Sequence, residues 1–339
     1  MMNMKKWIND LKYSPVKKAM PILSFPGIQL MNVGVKDLIS NSDNQARGMQ
    51  LIAQRTNASA SVSMMDLSVE AEAFGAEILF FDDEVPAVKG CIVNTQEKAD
   101  ALVVPEVGTA RTGLYVQAIE KACKLITDRP VFAGAIGPFS LAGRLMDVSS
   151  SLIYCYDEPE MVHTVLKKVT EFIINYVNEY KKVGANGVVI AEPLAGLLTP
   201  SMNHEFSVTY MKQIIDAVQS DEFIVIYHNC CGGTPCMIDE IVSMNASAYH
   251  FGNAIDMVNM VKSFPRDTLI MGNIDPSSQF RNGTTESIRE DTLGLLEELK
   301  DYPNFVISSG CDIPPRSNWE NIDSFFQAVD DFYSGKANG

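Results

Sequence analysis

The chain is poor in the residues that carry metal and redox chemistry, with 4 His and 7 Cys among 339 residues. It has no run of about 18 apolar residues, so no segment is expected to cross a membrane as a helix. The opening stretch MMNMKKWINDLKYSPVKKAM has lysines but no apolar core and no small-residue cleavage site, unlike a secretory signal. A cytoplasmic location is the resulting expectation. There thiols stay reduced, and cysteines serve as packing residues, ligands or nucleophiles rather than bridges. Positive charge is also short: 27 Lys and Arg face 42 Asp and Glu, a formal charge of −15. Such a surface repels phosphate backbones and anionic lipid, so neither nucleic acid nor membrane is expected as a partner. Low-complexity stretches, charge blocks, Gly-x-Gly-x-x-Gly phosphate loops and paired Cys-x2-Cys knuckles are all missing.

What is present is an ordinary globular composition, 46% apolar and 20% charged, built on a repeating unit. Each unit is a short apolar β-rich run, a polar or Gly-marked turn, then a helical pattern. Strands are predicted at 21–26, 61–66, 131–136, 187–193, 223–230, 248–253, 269–274 and 305–310. Their near-continuous apolar character suits parallel strands buried on both faces. Helices are predicted near 44–55, 114–127, 159–183, 203–218, 237–244, 287–300 and 319–333. The clearest is 159–183, where Val162, Val165, Leu166, Val169, Phe172, Ile173, Tyr176, Val177 and Tyr180 recur at helical steps. Asp157 is its expected N-cap, Pro159 suits its first turn, and Gly184 its stop. Eight units predict one α/β domain over 1–339, a (β/α)8 TIM barrel. It carries an N-terminal helical extension at 1–20 and a small hairpin excursion at 77–105, after strand two. The competing architecture is an open doubly wound sheet, disfavoured by the count of eight and the missing phosphate loop.

Barrel sites form at the C-terminal ends of strands. Those ends hold Asp66, Glu192, His228, Cys230, Asn253, Asp275 and Cys311. Strand alternation sends the side chains of His228 and Cys230 the same way. Cys311 follows strand eight, across the mouth from strand five. One His and two Cys form a zinc set that leaves one coordination position open, as catalytic zinc requires. The same pattern also fits two buried thiols beside a hydrogen-bonded core histidine. His163 and His204 fall on helices, and His250 lies within strand six as a core histidine. Cys231 and Cys236 are neighbours without a role, and Cys91, Cys123 and Cys155 read as packing residues. Glu192 is a candidate fourth ligand, orienting group or general base, and equally a capping carboxylate. Asp312 is a ligand or a cap. Asp66, Asn253, Asn273 and Asp275 are candidates for binding substrate, and equally for turns or caps.

At these residues the sequence resembles the uroporphyrinogen decarboxylase superfamily, and within it the zinc-dependent methylcorrinoid:coenzyme M methyltransferases. The resemblance covers nearly the whole chain. It is carried by FPGIQLMNVG, EAEAFGAEI, GPFSLAGRLM, GANGVVIAEPLAGLLTP, the His-x-Cys at His228 and Cys230, LIMGNIDP with the later GT, and SSGCDIPP. It implies a TIM barrel in which His228, Cys230 and Cys311 bind Zn2+. The decarboxylases differ: an N-terminal motif supplies arginines for substrate carboxylates, and the reaction needs no metal. Here the first arginine is Arg47, beyond strand one.

The implied chemistry is methyl transfer from a methylated corrinoid to a small, coenzyme M-like thiol. A free thiol, with a pKa of about 8.5, is a poor nucleophile at neutral pH, and a coordinating thiol is deprotonated. The chain has no Asp-x-His-x-x-Gly corrinoid motif, so the corrinoid is expected on a separate partner protein. The alternatives are the opposite half-reaction, methyl donor to corrinoid, a porphyrinogen-decarboxylating lyase, and a non-catalytic partner with a structural zinc. A pterin is an alternative methyl acceptor. Arg144, Arg281 and Arg316 are the candidates for holding an acidic group of the thiol, each also readable as a solvated surface residue.

Overall fold

The computed structural model describes residues 2–335. Its main sheet has seven strands, all parallel, with neighbours in the order β1, β4, β5, β6, β7, β8, β9. These are β1 (Ser61–Val62), β4 (Val131–Ile136), β5 (Gly187–Ala191), β6 (Ile224–Asn229), β7 (Ala248–Phe251), β8 (Leu269–Ile274) and β9 (Phe305–Ser309). A separate antiparallel hairpin joins β2 (Glu77–Leu79) to β3 (Ala87–Lys89), within the region expected to leave the barrel. The sheet curls, consistent with a TIM-like barrel.

The expectation of eight regular strands is corrected at residues 21–26. This stretch is not a strand, yet it lies between the sheet's two edges. Met20 N donates to Ile307 O at 3.0 Å, and Ser59 N donates to Ala19 O at 2.9 Å. Ile22 N donates to the Ser309 hydroxyl at 3.0 Å in place of a backbone rung. The reason is local: Pro21 has no N–H to donate to a ladder, and Pro26 turns the chain into the helix Gly27–Met31.

Two apolar layers hold the barrel. The lumen is filled by Met20, Ile22, Val62, Phe132, Val189, Ala191, Ile224, Ile226, Ala248, Leu269, Met271 and Val306. Intervening strand residues such as Val188, Ile190, Val225, Tyr227, Tyr249 and Phe251 face the helices. This period of two is the alternation of a strand buried on both sides. The helix Met4–Tyr13 closes the N-terminal end of the lumen. Its buried Met4, Trp7 and Leu11 recur at three- and four-residue steps, and Trp7 sits 5.4 Å from the Phe132 ring. Burying one such side chain contributes about 1.5–3 kcal/mol.

The longest helix, Pro159–Lys182, buries the apolar stripe read from the sequence. It ends as expected at Gly184, whose φ of 103° is left-handed. Ala185 N reaches Tyr180 O and Gly184 N reaches Lys181 O, the paired bonds of a glycine-terminated helix. Its start differs from expectation. Asp157 is the last residue of the preceding helix Val148–Asp157, and Glu158 takes the cap position without a side-chain bond. One residue joins the two helices, which leaves no extended cap for Asp157 to form. Among the described residues, no helix is long and apolar enough to cross a membrane.

Candidate metal centre

Residue parity decides what reaches the mouth. Ile224 and Ile226 face the lumen, so His228 and Cys230 continue the same face. On β7 the inward face is Ala248 and then His250, and the register places His250 beside His228. Cys311 follows β9, just past Gly310. The chain passes close here. A side chain at Gly252 would bring its Cβ within 2.3 Å of the Cys230 Cβ, so only glycine lets β7 pass this cysteine.

The nitrogen of His228 and the sulfurs of Cys230 and Cys311 lie within 4.8 Å of one another. Cys311 Sγ is 3.6 Å from His228 Nε2. A tetrahedral zinc, with bonds of about 2.3 Å to sulfur and about 2.0–2.1 Å to nitrogen, sets its donors roughly 3.5–3.8 Å apart. The donor set therefore fits that ion in chemistry and in scale. Among the described residues this is the only cluster of three or more His, Cys, Asp or Glu donors of this kind. All seven cysteines are free thiols. The hydrogen bond between the two sulfurs holds Cys230 below the ordinary thiol range and Cys311 well above it.

A polar chain stands behind His228. Its Nδ1 lies 2.8 Å from His250 Nδ1, His250 Nε2 lies 2.7 Å from the Ser308 hydroxyl, and that hydroxyl donates to Met20 O at 2.7 Å. All three side chains are buried. Burial and the neighbouring His228 push His250 well below the ordinary histidine range, so it is neutral. The sequence reading placed His250 in the core and overlooked its contact with His228. The signal was available: His228 and His250 share the inward parity of adjacent strands.

The remaining candidates have other partners. Glu192 follows Ala191, an inward residue, so its own side chain turns outward to the helix layer. There Oε1 accepts from Ser140 N at 2.6 Å and from its hydroxyl at 2.5 Å, and Oε2 accepts from Phe139 N at 3.0 Å. These amides open the helix Pro138–Met146, so of the roles foreseen for Glu192 the contacts are those of the capping carboxylate. Burial raises it to about 7 against those hydrogen bonds. Asp66 accepts from Arg111 at 2.5 Å, Tyr115 at 2.7 Å, and the Ser68 amide and hydroxyl. Arg111 also reaches Glu72 at 2.6 Å and lies over the Phe80 ring.

Asn253 and Asp275 do meet, Asn253 Nδ2 donating to Asp275 Oδ2 at 2.9 Å. Asp275 Oδ1 caps the turn at Ser277 and Ser278. Asn273 donates to Gly252 O and Ile255 O. Asp312 accepts from Met65 N at 3.0 Å, and its other oxygen is buried without a partner. Burial raises it to about 8. Arg281 pairs with Glu84 and Arg316 with Asp83, both from the hairpin loop. Arg144 is half-buried, and burial lowers its basicity. His163 packs on Phe206 and bonds Tyr210, while His204 is exposed.

Three comparisons bear on this geometry. A solved structure described as a methyltransferase from Methanosarcina mazei superposes with a TM-score of 0.86. It is 20% identical and covers 98% of this chain and 100% of its own. A B12-independent methionine synthase from Shewanella sp. W3-18-1, in complex with selenomethionine, aligns with a TM-score of 0.63. It is 12% identical over 94% of this chain and 96% of its own. At these identities the likeness is one of fold. Uroporphyrinogen decarboxylase of Alcanivorax borkumensis is 24% identical over 304 residues, 86% of this chain and 84% of that protein. The family model described as Uroporphyrinogen decarboxylase (URO-D) matches residues 12–332, nearly the entire length. The chain belongs to the uroporphyrinogen decarboxylase family.

Proposed function

We propose that this chain is a zinc-dependent methyltransferase that moves a methyl group from a corrinoid, carried on a separate protein, to a small thiol. The observation that carries this reading is the donor set: one imidazole nitrogen and two sulfurs converge at the C-terminal end of the barrel. Three protein donors leave a fourth position for a substrate, unlike the four protein ligands of a structural zinc. His228, Cys230 and Cys311 would hold the ion. When bound, zinc supplies a site that keeps a thiol deprotonated at neutral pH without redox chemistry of its own.

The chain's own residues do the rest. The two sulfurs of Cys230 and Cys311 would offset the charge of a bound ion and so keep an incoming thiolate electron-rich. Gly252 lets Cys230 close up to the mouth, and His250 supports the ring of His228. The sulfur of the substrate gains the methyl group, and cobalt keeps the electron pair of the broken bond. The products are a methyl thioether and cobalt(I). Of the three arginines considered for an acidic group on the thiol, Arg281 and Arg316 are paired with carboxylates. Arg144 is the candidate that remains.

The lyase reading draws on curated relatives named uroporphyrinogen decarboxylase. Against it stand the arginines around the mouth. Arg111, Arg281 and Arg316 are each bonded to the chain's own acids, which leaves little to receive a polycarboxylate. The deciding experiment loads the protein with zinc and mixes it with methylcobalamin and a panel of thiols. Formation of cob(I)alamin and a thioether supports methyl transfer. Absence of both, together with carbon dioxide release from uroporphyrinogen, would overturn it.

A further inference from the structure

We propose that His250 and Ser308 are positioning residues that fix the ring tautomer of His228, presenting its bare Nε2 to the two thiols. The inference deepens the metal reading above and rests on it for its functional meaning. The argument follows donors one at a time. The carbonyl of Met20 only accepts, so the Ser308 hydroxyl proton is committed to it. That hydroxyl then offers only lone pairs to His250 Nε2, 2.7 Å away, so Nε2 carries a proton. The His250 ring is buried against a histidine and a hydroxyl, surroundings that disfavour a charge, so it carries one N–H and its Nδ1 is an acceptor. His228 Nδ1, 2.8 Å from it, must therefore be the donor. The one remaining ring nitrogen, His228 Nε2, is left with a lone pair on the side of Cys311 Sγ.

The relay crosses the lumen from β6 to β7 to β9 and ends on the irregular segment at Met20. Every link is buried, so water cannot substitute for a lost partner. The opposite tautomer would aim an N–H at the sulfurs and leave no lone pair for a metal. Ring nitrogens of metal-binding histidines are oriented in this way by outer partners, whose loss lowers metal affinity by about 10–100-fold.

Nitrogen-15 spectra of the histidine rings in the metal-free protein test the tautomers directly. The expected result is an N–H at Nδ1 of His228 and at Nε2 of His250. Ser308→Ala should add the second tautomer of His250 to that spectrum. For the metal, His250→Leu should weaken zinc binding by about 10–100-fold in chelator competition. His250→Asn keeps an acceptor near the Nδ1 position and should recover most of the loss. Bound cobalt(II) should show weaker sulfur-to-metal absorption in the leucine variant only. An N–H at Nδ1 of His250, or a leucine variant that binds zinc within about 2-fold of the parent, would overturn the proposal. A wild-type protein that shows the expected tautomers but binds no zinc would sink the metal reading and leave this assignment standing.

Discussion

Two polar clusters lie at the strand ends of the barrel, and they differ in what their lone pairs are doing. On the β1 and β4 side, Asp66, Arg111, Glu72 and Tyr115 bond one another, and Glu192 caps a helix. On the β6 and β9 side, two sulfurs and one nitrogen converge with nothing but each other as partners. Both clusters are at least partly buried, and buried polar groups are normally satisfied. The comparison teaches that burial and charge do not mark the chemistry. Unoccupied donor atoms aimed at one point do.

The separation is broken most severely at the sulfur side. Cys311→Ser should lower zinc affinity by more than about 100-fold, beyond the loss typical of an outer partner. Its urea unfolding midpoint should barely move when measured without metal. A variant that kept stoichiometric zinc, by metal analysis after dialysis, would place the ion elsewhere.

The converse applies at the carboxylate side. Arg111→Ala leaves Asp66 buried without its cation, since the two side chains are 10% and 0% exposed. Stranding one partner of a buried pair costs about 3–5 kcal/mol. Urea unfolding should report that loss, while zinc affinity stays within about 3-fold. Equal losses in both measurements would merge the two clusters into one unit.

Glu192 sharpens the contrast through pH. Its folded-state value is about 7 against an ordinary 4.5, raised by burial. The folded protein therefore holds this proton more tightly than the unfolded chain. Stability from this group is full below about pH 4.5 and is lost as pH rises through about 7, on the order of 3 kcal/mol. Glu192→Gln should remove its share of that decline in unfolding free energies taken between pH 5 and 8. Glu70 and Asp312, raised to about 7 and about 8 by burial, keep the remainder. An unchanged profile would mean that Glu192 is ionised and stable in place.

The smallest effect belongs to the hairpin. The pairs Arg316–Asp83 and Arg281–Glu84 are largely solvent-exposed. Replacing either arginine by alanine should change stability by at most about 1 kcal/mol. A larger drop in melting temperature would show the hairpin to be part of the core.

Much of this was legible in the sequence because strands carry a period of two. That period aligned His228 with Cys230, and it also held the information that Glu192 faces away, since Val189 and Ala191 point inward. Of the readings open for Glu192, parity favours the capping carboxylate over a group at the mouth. Cys311 was found from its place after the final strand, although its reach depends on loop geometry that periodicity does not encode. The segment at 21–26 read as a strand from its apolar run, and Pro21 alone argued otherwise. His250 was placed in the core but not beside His228, because cross-strand register is a property of pairing and not of one segment. The hydroxyl of Ser308, which orders the rings, has no sequence signature.

The helix Met4–Tyr13 has one more consequence. With Met4, Trp7 and Leu11 stopping the far end and side chains filling the lumen, reactants meet the donor set from the mouth side. A small reactant and a bulky one cannot share that doorway in arbitrary sequence. Under the proposed reaction the thiol goes in first, the corrinoid protein covers it, and the methylated product waits until the lid is lifted.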